Sequence, residues 1–593
     1  MTGRREFERV MAQLEASGAC GYIESLLRPD GAGGRPRQLS VAVFLTAVVC
    51  AVDEKQGALS LVRVHHQLTQ GLARSYRVQL GITTLDAGGT DRSISLRQVR
   101  YMLEAIETKL AFSEGRVPDL ADDDRANRAD ALQRVLDLIV AGSIPDHLPA
   151  PESWALDGTA VESWGKGRRR GPVDPDADHA QDDDLMRDGT AVAVQPLFDV
   201  DARWGYQTKT YDNKTNLCYG YHVFGMVGLL PVGADPDLRP KLTERISIRP
   251  ANANAIVAAL TMIDSLNVAN RHVRELLSDR EFSYKSEQSW AQPLRQRGVS
   301  QVMDLHPNDR GIRDYNGIAM MDGVPYCSAA LATRPDLVNI ARPERFSAPP
   351  LKANASVEER EEHDRVTAQI AEFNRLKSEP EQRAFRRVAG PDADGNERYE
   401  CPAQAGKLIC ANCPFSLNFL DGVPVVEKPH ALPALPVRPV RLDSSATAAE
   451  REQYRQDLDS YNTQADFLRC CRQRTITIPG TVTPKTRQKL AWGTEDWQES
   501  YKRRTHVEGA FGNWKNPKTS RVQRGWIYVV GLVKTGIMIA CVAFATNMRL
   551  LRRWSERTGD ITDPLTKPLP ESLGFEELDA DGNLDLADGP PGA

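Results

Sequence analysis

Residues 501–515 read YKRRTHVEGAFGNWK. On a helix turning about 100° per residue, Tyr501, Arg504, Glu508 and Lys515 fall within a stripe roughly 60° wide. One acid is set beside two cations and a phenol, a face better suited to a metal-bound phosphate than to a hydrophobic core. The surroundings share the bias: residues 501–553 hold eleven Lys or Arg and a single acid, Glu508, for a formal +10. A solvated basic helix with one incidental glutamate is the competing reading, and the rest of the chain has to decide between them.

The chain has 593 residues, 41% of them apolar and 26% charged, which describes a soluble globular protein of three or four domains. Its net charge of −5 conceals a segregation. Residues 560–593 carry nine acids against one lysine and read as part of a disordered acidic tail, so the remainder is close to +3. For a site that grips a polyanion, the local patch matters more than the sum. No apolar run follows the N-terminal basic residues, so no signal peptide is expected. The stretch Ile527–Ala545 is apolar, but Lys534 interrupts it and two glycines weaken it, and it reads as a helix buried against a core rather than a membrane span. Ten cysteines in so long a chain do not make a disulfide scaffold.

Residues 1–150 alternate helical apolar patterns with polar turns. Val41–Val52 is one run, and Ile94–Phe112 is another, capped by Ser93 or Ser95. This small helical region is either a DNA-binding domain or a bundle that supports dimerisation. From Trp154 the pattern changes. Strands are expected at Ser153–Val161, Ala191–Phe198, Tyr219–Leu230, Val273–Leu277 and Val299–Met303, with helices at Ala253–Leu266 and, kinked by Pro293, at Gln288–Gln296. Alternation of this kind predicts a layered α/β domain. After about Asp304 it stops: a charged helix at Ser356–Leu376 and five prolines in residues 423–441 suggest an insertion. The expected boundaries are 1–150, 151–310 for the first part of the α/β domain, 311–480 for the insertion, 481–556 for the return to the domain, and 557–593 for the tail.

Two more acids stand in suggestive contexts. Asp157, in SWALDGTAVES, and Asp279, in VRELLSDREFS, each follow a short apolar run and are expected at strand ends, where open α/β sheets direct ligands. A turn aspartate satisfying its own backbone is the plainer reading of each. Together with Glu508 they form a candidate three-carboxylate site. Such acids repel one another unless hard divalent cations lie between them, which points to Mg²⁺ or Mn²⁺. Asp304 and Asp314 compete with Asp279 for the middle place.

With these residues on view, the chain resembles bacterial insertion-sequence transposases of the DDE class. It is most similar to the subgroup whose signature is Tyr, two residues, Arg, three residues, Glu, six residues, Lys, which Tyr501, Arg504, Glu508 and Lys515 match without a gap. LDGTAVES and SDREFS resemble the segments of the first and second catalytic aspartates, and YGYHVFGMVGL resembles the second and third strands. The resemblance implies a ribonuclease-H-like catalytic core with a mixed sheet, an N-terminal helical domain and a β-containing insertion. It implies Asp157, Asp279 and Glu508 as ligands of two Mg²⁺ or Mn²⁺ ions. It further implies double-stranded DNA, both transposon ends and target, as substrate, a dimer in the DNA complex, and a bacterial cytoplasmic, nucleoid-associated location without a membrane. Asp279 departs from the pattern in being followed by Arg-Glu-Phe.

Such a site supports in-line displacement at phosphorus, first by water and then by the freed 3′-OH. Arg504 and Lys515 would hold phosphates and Tyr501 would orient one, with Lys518, Arg521 and Arg524 extending the track. A metal-dependent nuclease without strand transfer, or a DNA-binding protein derived from a transposase, remains the alternative. A second metal site is suggested by Cys401, Cys410, Cys413 and Cys470 (or Cys471), where CANC offers the short spacing that zinc favours. A set of ordinary buried thiols is the other reading.

Overall fold

The computed structural model describes residues 4–567 except 29–36, 54–58, 86–88, 166–197, 209–214, 328–330, 332–336, 338–339, 382, 393, 403–418, 421–422, 425–438, 441, 444, 464–474, 517–518, 521 and 523–525. The chain divides into two compact units, Met1–Val273 with Arg504–Ala593, and Arg274–Arg503. These divisions fall elsewhere than the boundaries expected at 150, 310 and 480.

The first unit begins with α1 (Arg4–Ala16), α2 (Ala19–Leu27), α3 (Val41–Asp53), α4 (Leu61–Gln70) and α5 (Arg74–Gln79). A short hairpin of β1 (Thr83–Leu85) and β2 (Asp91–Ser93) follows, then α6 (Leu96–Leu110) and α7 (Asp122–Ala141). Ser95, not Ser93, caps α6: its hydroxyl accepts from the Gln98 N–H while the Gln98 side chain accepts from the Ser95 N–H at 2.8 Å. That reciprocal pair satisfies two donors that a helix start leaves open.

The sheet of this unit is antiparallel. Its long strand β5 (Thr215–Leu229) pairs with β3 (Ser153–Glu162), β4 (Arg203–Thr208) and β6 (Thr243–Pro250). A strand with neighbours on both edges and cover on its faces can be almost continuously apolar, as the run Val223–Leu229 is. Neither β4 nor β6 was expected from sequence. In β6 the reason is charge: Glu244 and Arg245 look like surface residues, yet both are buried, Glu244 paired with Arg239 and with Arg271 at 2.6 Å and Arg245 with Asp137 at 3.6 Å. The strand expected at Ala191–Phe198 lies outside the described residues except for Phe198. Helix α8 (Ala255–Val268) follows β6, its first turn capped by the Asn254 side chain accepting from the Ile256 N–H at 3.0 Å.

The second unit opens with β7 (Glu275–Ser278), α9 (Arg280–Ser283), α10 (Gln292–Gln296) and β8 (Ser300–Met303), and β7 and β8 pair in parallel. The helix expected at Gln288–Gln296 is divided into a π-helical turn, Glu287–Ala291, and α10, with Pro293 in the first turn of α10 where its missing N–H does no harm. Three short strands, β9 (Ile312–Tyr315), β10 (Ile318–Met321) and β11 (Val324–Cys327), form one antiparallel sheet. After α11 (Val357–Glu381), a second is built from β12 (Arg386–Ala389), β13 (Glu397–Glu400) and, beyond the small pair β14 (Phe419–Leu420) and β15 (Val423–Pro424) and helix α12 (Ala448–Thr463), the strand β16 (Thr475–Ile478). Helix α13 (Glu495–Lys502) ends this unit.

Two helices complete the first unit, α14 (Thr505–Lys515) and α15 (Leu532–Thr558). From Leu532 to Met548 every residue of α15 except Lys534 is buried, and Lys534 meets Glu107 at 2.7 Å. Among the described residues α15 alone is long and apolar enough to cross a membrane, but 89% of its most apolar window is buried inside the protein. Gly536 lets it approach the sheet, since a Cβ there would lie 3.0 Å from Ile248. The Asn547 side chain, fully buried, accepts from the Thr243 N–H at 3.0 Å and donates to the Thr243 carbonyl at 2.7 Å and the Ser143 hydroxyl at 2.9 Å.

The expected tail, 557–593, starts too early. Helix α15 runs to Thr558, and residues 559–567 pack behind it: Leu565 is buried, the Ser555 hydroxyl donates to the Thr566 carbonyl, and Arg9 donates to the Lys567 carbonyl at 2.7 Å. A hydrophobic anchor within an acidic stretch is enough to hold these residues down. Residues 568–593 lie outside the described residues.

Candidate functional site

Asp157 does not end its strand. It is the fifth of ten residues in β3, paired with Gly225, and the ladder continues to Glu162 opposite Gly220. The glycine after it makes no turn: Gly158 lies against the ring of Phe224, where a Cβ would come within 2.8 Å of a ring carbon. Gly158 is therefore a packing glycine, and the Asp-Gly pair misleads if read as a strand end. The Asp157 carboxylate accepts from the Gly158 N–H at 2.8 Å.

Paired residues of neighbouring strands present their side chains on one face. Gly225, having none, leaves a hollow beside Asp157 that the ring of Phe511 fills; a Cβ at 225 would lie 3.1 Å from two of its carbons. This seats α14 on the sheet. Val507, Ala510, Phe511 and Trp514 form its buried stripe, and Glu508 is turned outward with about half its side chain exposed.

Arg504 stands just before α14. One of its terminal nitrogens lies 2.8 Å from a Glu508 oxygen and the other 3.9 Å from an Asp157 oxygen. Two carboxylates far apart in sequence thus meet at the two ends of one guanidinium. At the far end of α14, burial lowers the pKa of Lys515, and the fields of Cys218, Asp157 and Glu162 oppose the shift. Both cations therefore feel Asp157.

The single helical stripe expected for Tyr501, Arg504, Glu508 and Lys515 is interrupted. Helix α13 stops at Lys502 and α14 starts at Thr505, so Tyr501 belongs to the second unit and the other three to the first. Tyr501 stacks on Trp497, ring centroids 4.7 Å apart and planes 13° from parallel, and Trp497 in turn contacts Phe346 and Trp492.

Asp279 directly follows β7, as expected, and also acts locally: it caps α9 by accepting from the Glu281 N–H at 2.8 Å. It lies in the second unit. Its competitor Asp304 is buried and bound by Arg280 at 2.9 Å, Arg342 at 2.6 Å and the Trp492 indole N–H at 3.0 Å. A carboxylate so engaged is a structural ion-pair centre. Asp314 sits in the β9–β10 hairpin and accepts from the Gly317 N–H.

Lys518, Arg521 and Arg524 lie outside the described residues, as do Cys410, Cys413, Cys470 and Cys471. Cys401 is buried in an apolar cluster with Ile318, Met320, Phe385 and Ile476. Among the described residues no group of three or more His, Cys, Asp or Glu side chains is placed to hold a metal ion. Sequence reading missed Gly225 and Phe511, whose role is to seat α14. The signal available was glycine spacing in YGYHVFGMVGL, where Gly225 and Gly228 interrupt an otherwise bulky strand.

No family model matches the chain, and no curated protein or solved structure matches it.

Proposed function

We propose that the chain is a DNA transposase of the DDE class, built on a ribonuclease-H-like core, which cleaves the ends of an insertion sequence and joins them to target DNA. One observation carries the reading most: Asp157 and Glu508, singled out separately in sequence, both reach Arg504. The antiparallel β3–β5 pair and the parallel β7–β8 pair are in keeping with the strand types of such a core.

The donors suit the implied Mg²⁺ or Mn²⁺, since Asp157 and Glu508 are partly exposed carboxylates converging on one cation, and hard divalent ions take carboxylate oxygen. Asp279 is assigned as third ligand from its sequence segment. When bound, two such ions lower the pKa of an attacking water or hydroxyl and stabilise the leaving 3′ oxygen. The chain's own part is positioning: the Arg504 fork and the Lys515 ammonium hold phosphate oxygens. In the first reaction an oxygen of water bonds to phosphorus as the P–O3′ bond breaks, and the departing oxygen takes a proton to become a 3′-OH. In the second, that hydroxyl attacks a target phosphate, gives up its proton, and releases a target 3′-OH. One ester bond is exchanged for another, so no external energy source is needed. Synapsis of two ends calls for a dimer on DNA, in the bacterial cytoplasm.

The test is cleavage and joining of labelled DNA that carries the sequences flanking the reading frame, in Mg²⁺. Glu508→Gln, Asp157→Asn and Asp279→Asn should each bring both steps to background while DNA binding largely survives. Undiminished cleavage by Glu508→Gln would falsify the carboxylate mechanism. Cleavage without joining would reduce the protein to a nuclease, and binding by the parent chain with neither step would reduce it to a DNA binder.

A further inference from the structure

We propose that Arg504 controls metal loading: in the DNA-free protein its guanidinium occupies Asp157 and Glu508, and a DNA phosphate draws it away so that divalent ions can enter. This rests on the reading of those two acids as metal ligands.

The geometry is specific. Arg504 is the residue preceding α14, its backbone is already helical, and no side chain caps the helix there. Its own side chain is only 16% exposed and lies between the two acids. An Arg–Glu pair at i, i+4 with the cation first is the weaker orientation on a helix, so helix stability alone does not account for it. The bridge to β3 gives it another use, holding two like charges together while no metal separates them.

A divalent ion and the guanidinium compete for the same oxygens, and placing both there sets like charges side by side. A phosphodiester offers Arg504 another anionic partner, one that can accept its two parallel N–H groups. DNA and metal therefore bind with positive coupling, and by linkage each tightens the other by the same factor. Without DNA the site stays poorly loaded and has little activated water to spend on other phosphates.

Mn²⁺ binding to the full chain, followed through the spin-resonance signal of free Mn²⁺, tests this without any turnover. Without DNA, Arg504→Gln should bind Mn²⁺ roughly fivefold more tightly than the parent, about the worth of one partly exposed ion pair. Arg504→Lys, whose single ammonium is a poor bridge, should fall between them. Lys502→Gln, which removes an equal charge two positions away on an exposed side chain, should change nothing. A duplex carrying the flanking sequences should tighten Mn²⁺ binding to the parent more than to Arg504→Gln. Equal affinities for the parent and Arg504→Gln, or an equal shift in Lys502→Gln, would overturn the inference and leave the proposed function standing. If Asp157→Asn and Glu508→Gln left Mn²⁺ binding intact, the metal site itself, and with it the proposed function, would fail.

Discussion

Lys515 is a cation kept under strain by its surroundings. Burial lowers its pKa despite the nearby acids, so below that lowered value the charged ammonium opposes folding. The penalty shrinks as pH rises through the folded pKa toward the unfolded one. Lys515→Met should therefore raise the midpoint of urea unfolding at neutral pH and lose that advantage in alkali. The same variant should weaken DNA binding and reduce its salt slope by about one unit if the ammonium meets one phosphate. A stabilised variant with unchanged binding would place Lys515 outside the DNA track. Asp304 offers the contrasting case: three buried or half-buried donors claim its oxygens, and nothing in its local sequence announces them.

At the level of elements, the seat of α14 decides where Glu508 stands. Gly225→Val would thrust a branched side chain into the space of the Phe511 ring. Overpacking of this sort costs about 1–3 kcal/mol, and the helix should lift enough to cut cleavage more than DNA binding. Adding Phe511→Ala to Gly225→Val should recover part of the stability, a non-additivity readable in a double-mutant cycle. Additive effects would mean that the two side chains do not meet. This is also where sequence reading succeeded and failed for identifiable reasons. The α6 pattern was legible because one periodic apolar face dominates it, and α3, α8 and β5 because each is a nearly continuous apolar run. Strand β6 was hidden because its charges are neutralised by partners distant in the chain, Arg271 and Asp137 among them. The break between Tyr501 and Arg504 was hidden because KRRT carries neither proline nor glycine to mark it. The strand around Asp157 was legible, but the residue's place within it was misread, since Gly158 serves a ring and not a turn.

On the scale of the molecule, α15 is the pillar of the first unit, and Asn547 is its most exacting contact. Its amide satisfies both backbone groups of Thr243 as a neighbouring strand would, and reaches Ser143 as well. Asn547→Leu keeps the branched outline, though it is bulkier, and strands a buried donor and acceptors, each worth about 1–3 kcal/mol. The unfolding midpoint of the first unit should fall accordingly, and a change within error would show that solvent or a neighbour replaces the amide.

The first unit is assembled from two lengths of chain separated by the 230 residues Arg274–Arg503. β3 and α14 begin 352 positions apart, at Ser153 and Thr505, so at about 5–20 residues per second of synthesis roughly 20–70 s pass between their emergence. Throughout that interval Asp157 exists on the ribosome without its arginine or its glutamate, and the hollow at Gly225 has nothing to fill it. On the proposed function, translation thus acts as a timer: a nascent or prematurely terminated product lacks Arg504 and Glu508, and the candidate site is assembled only once α14 has been made.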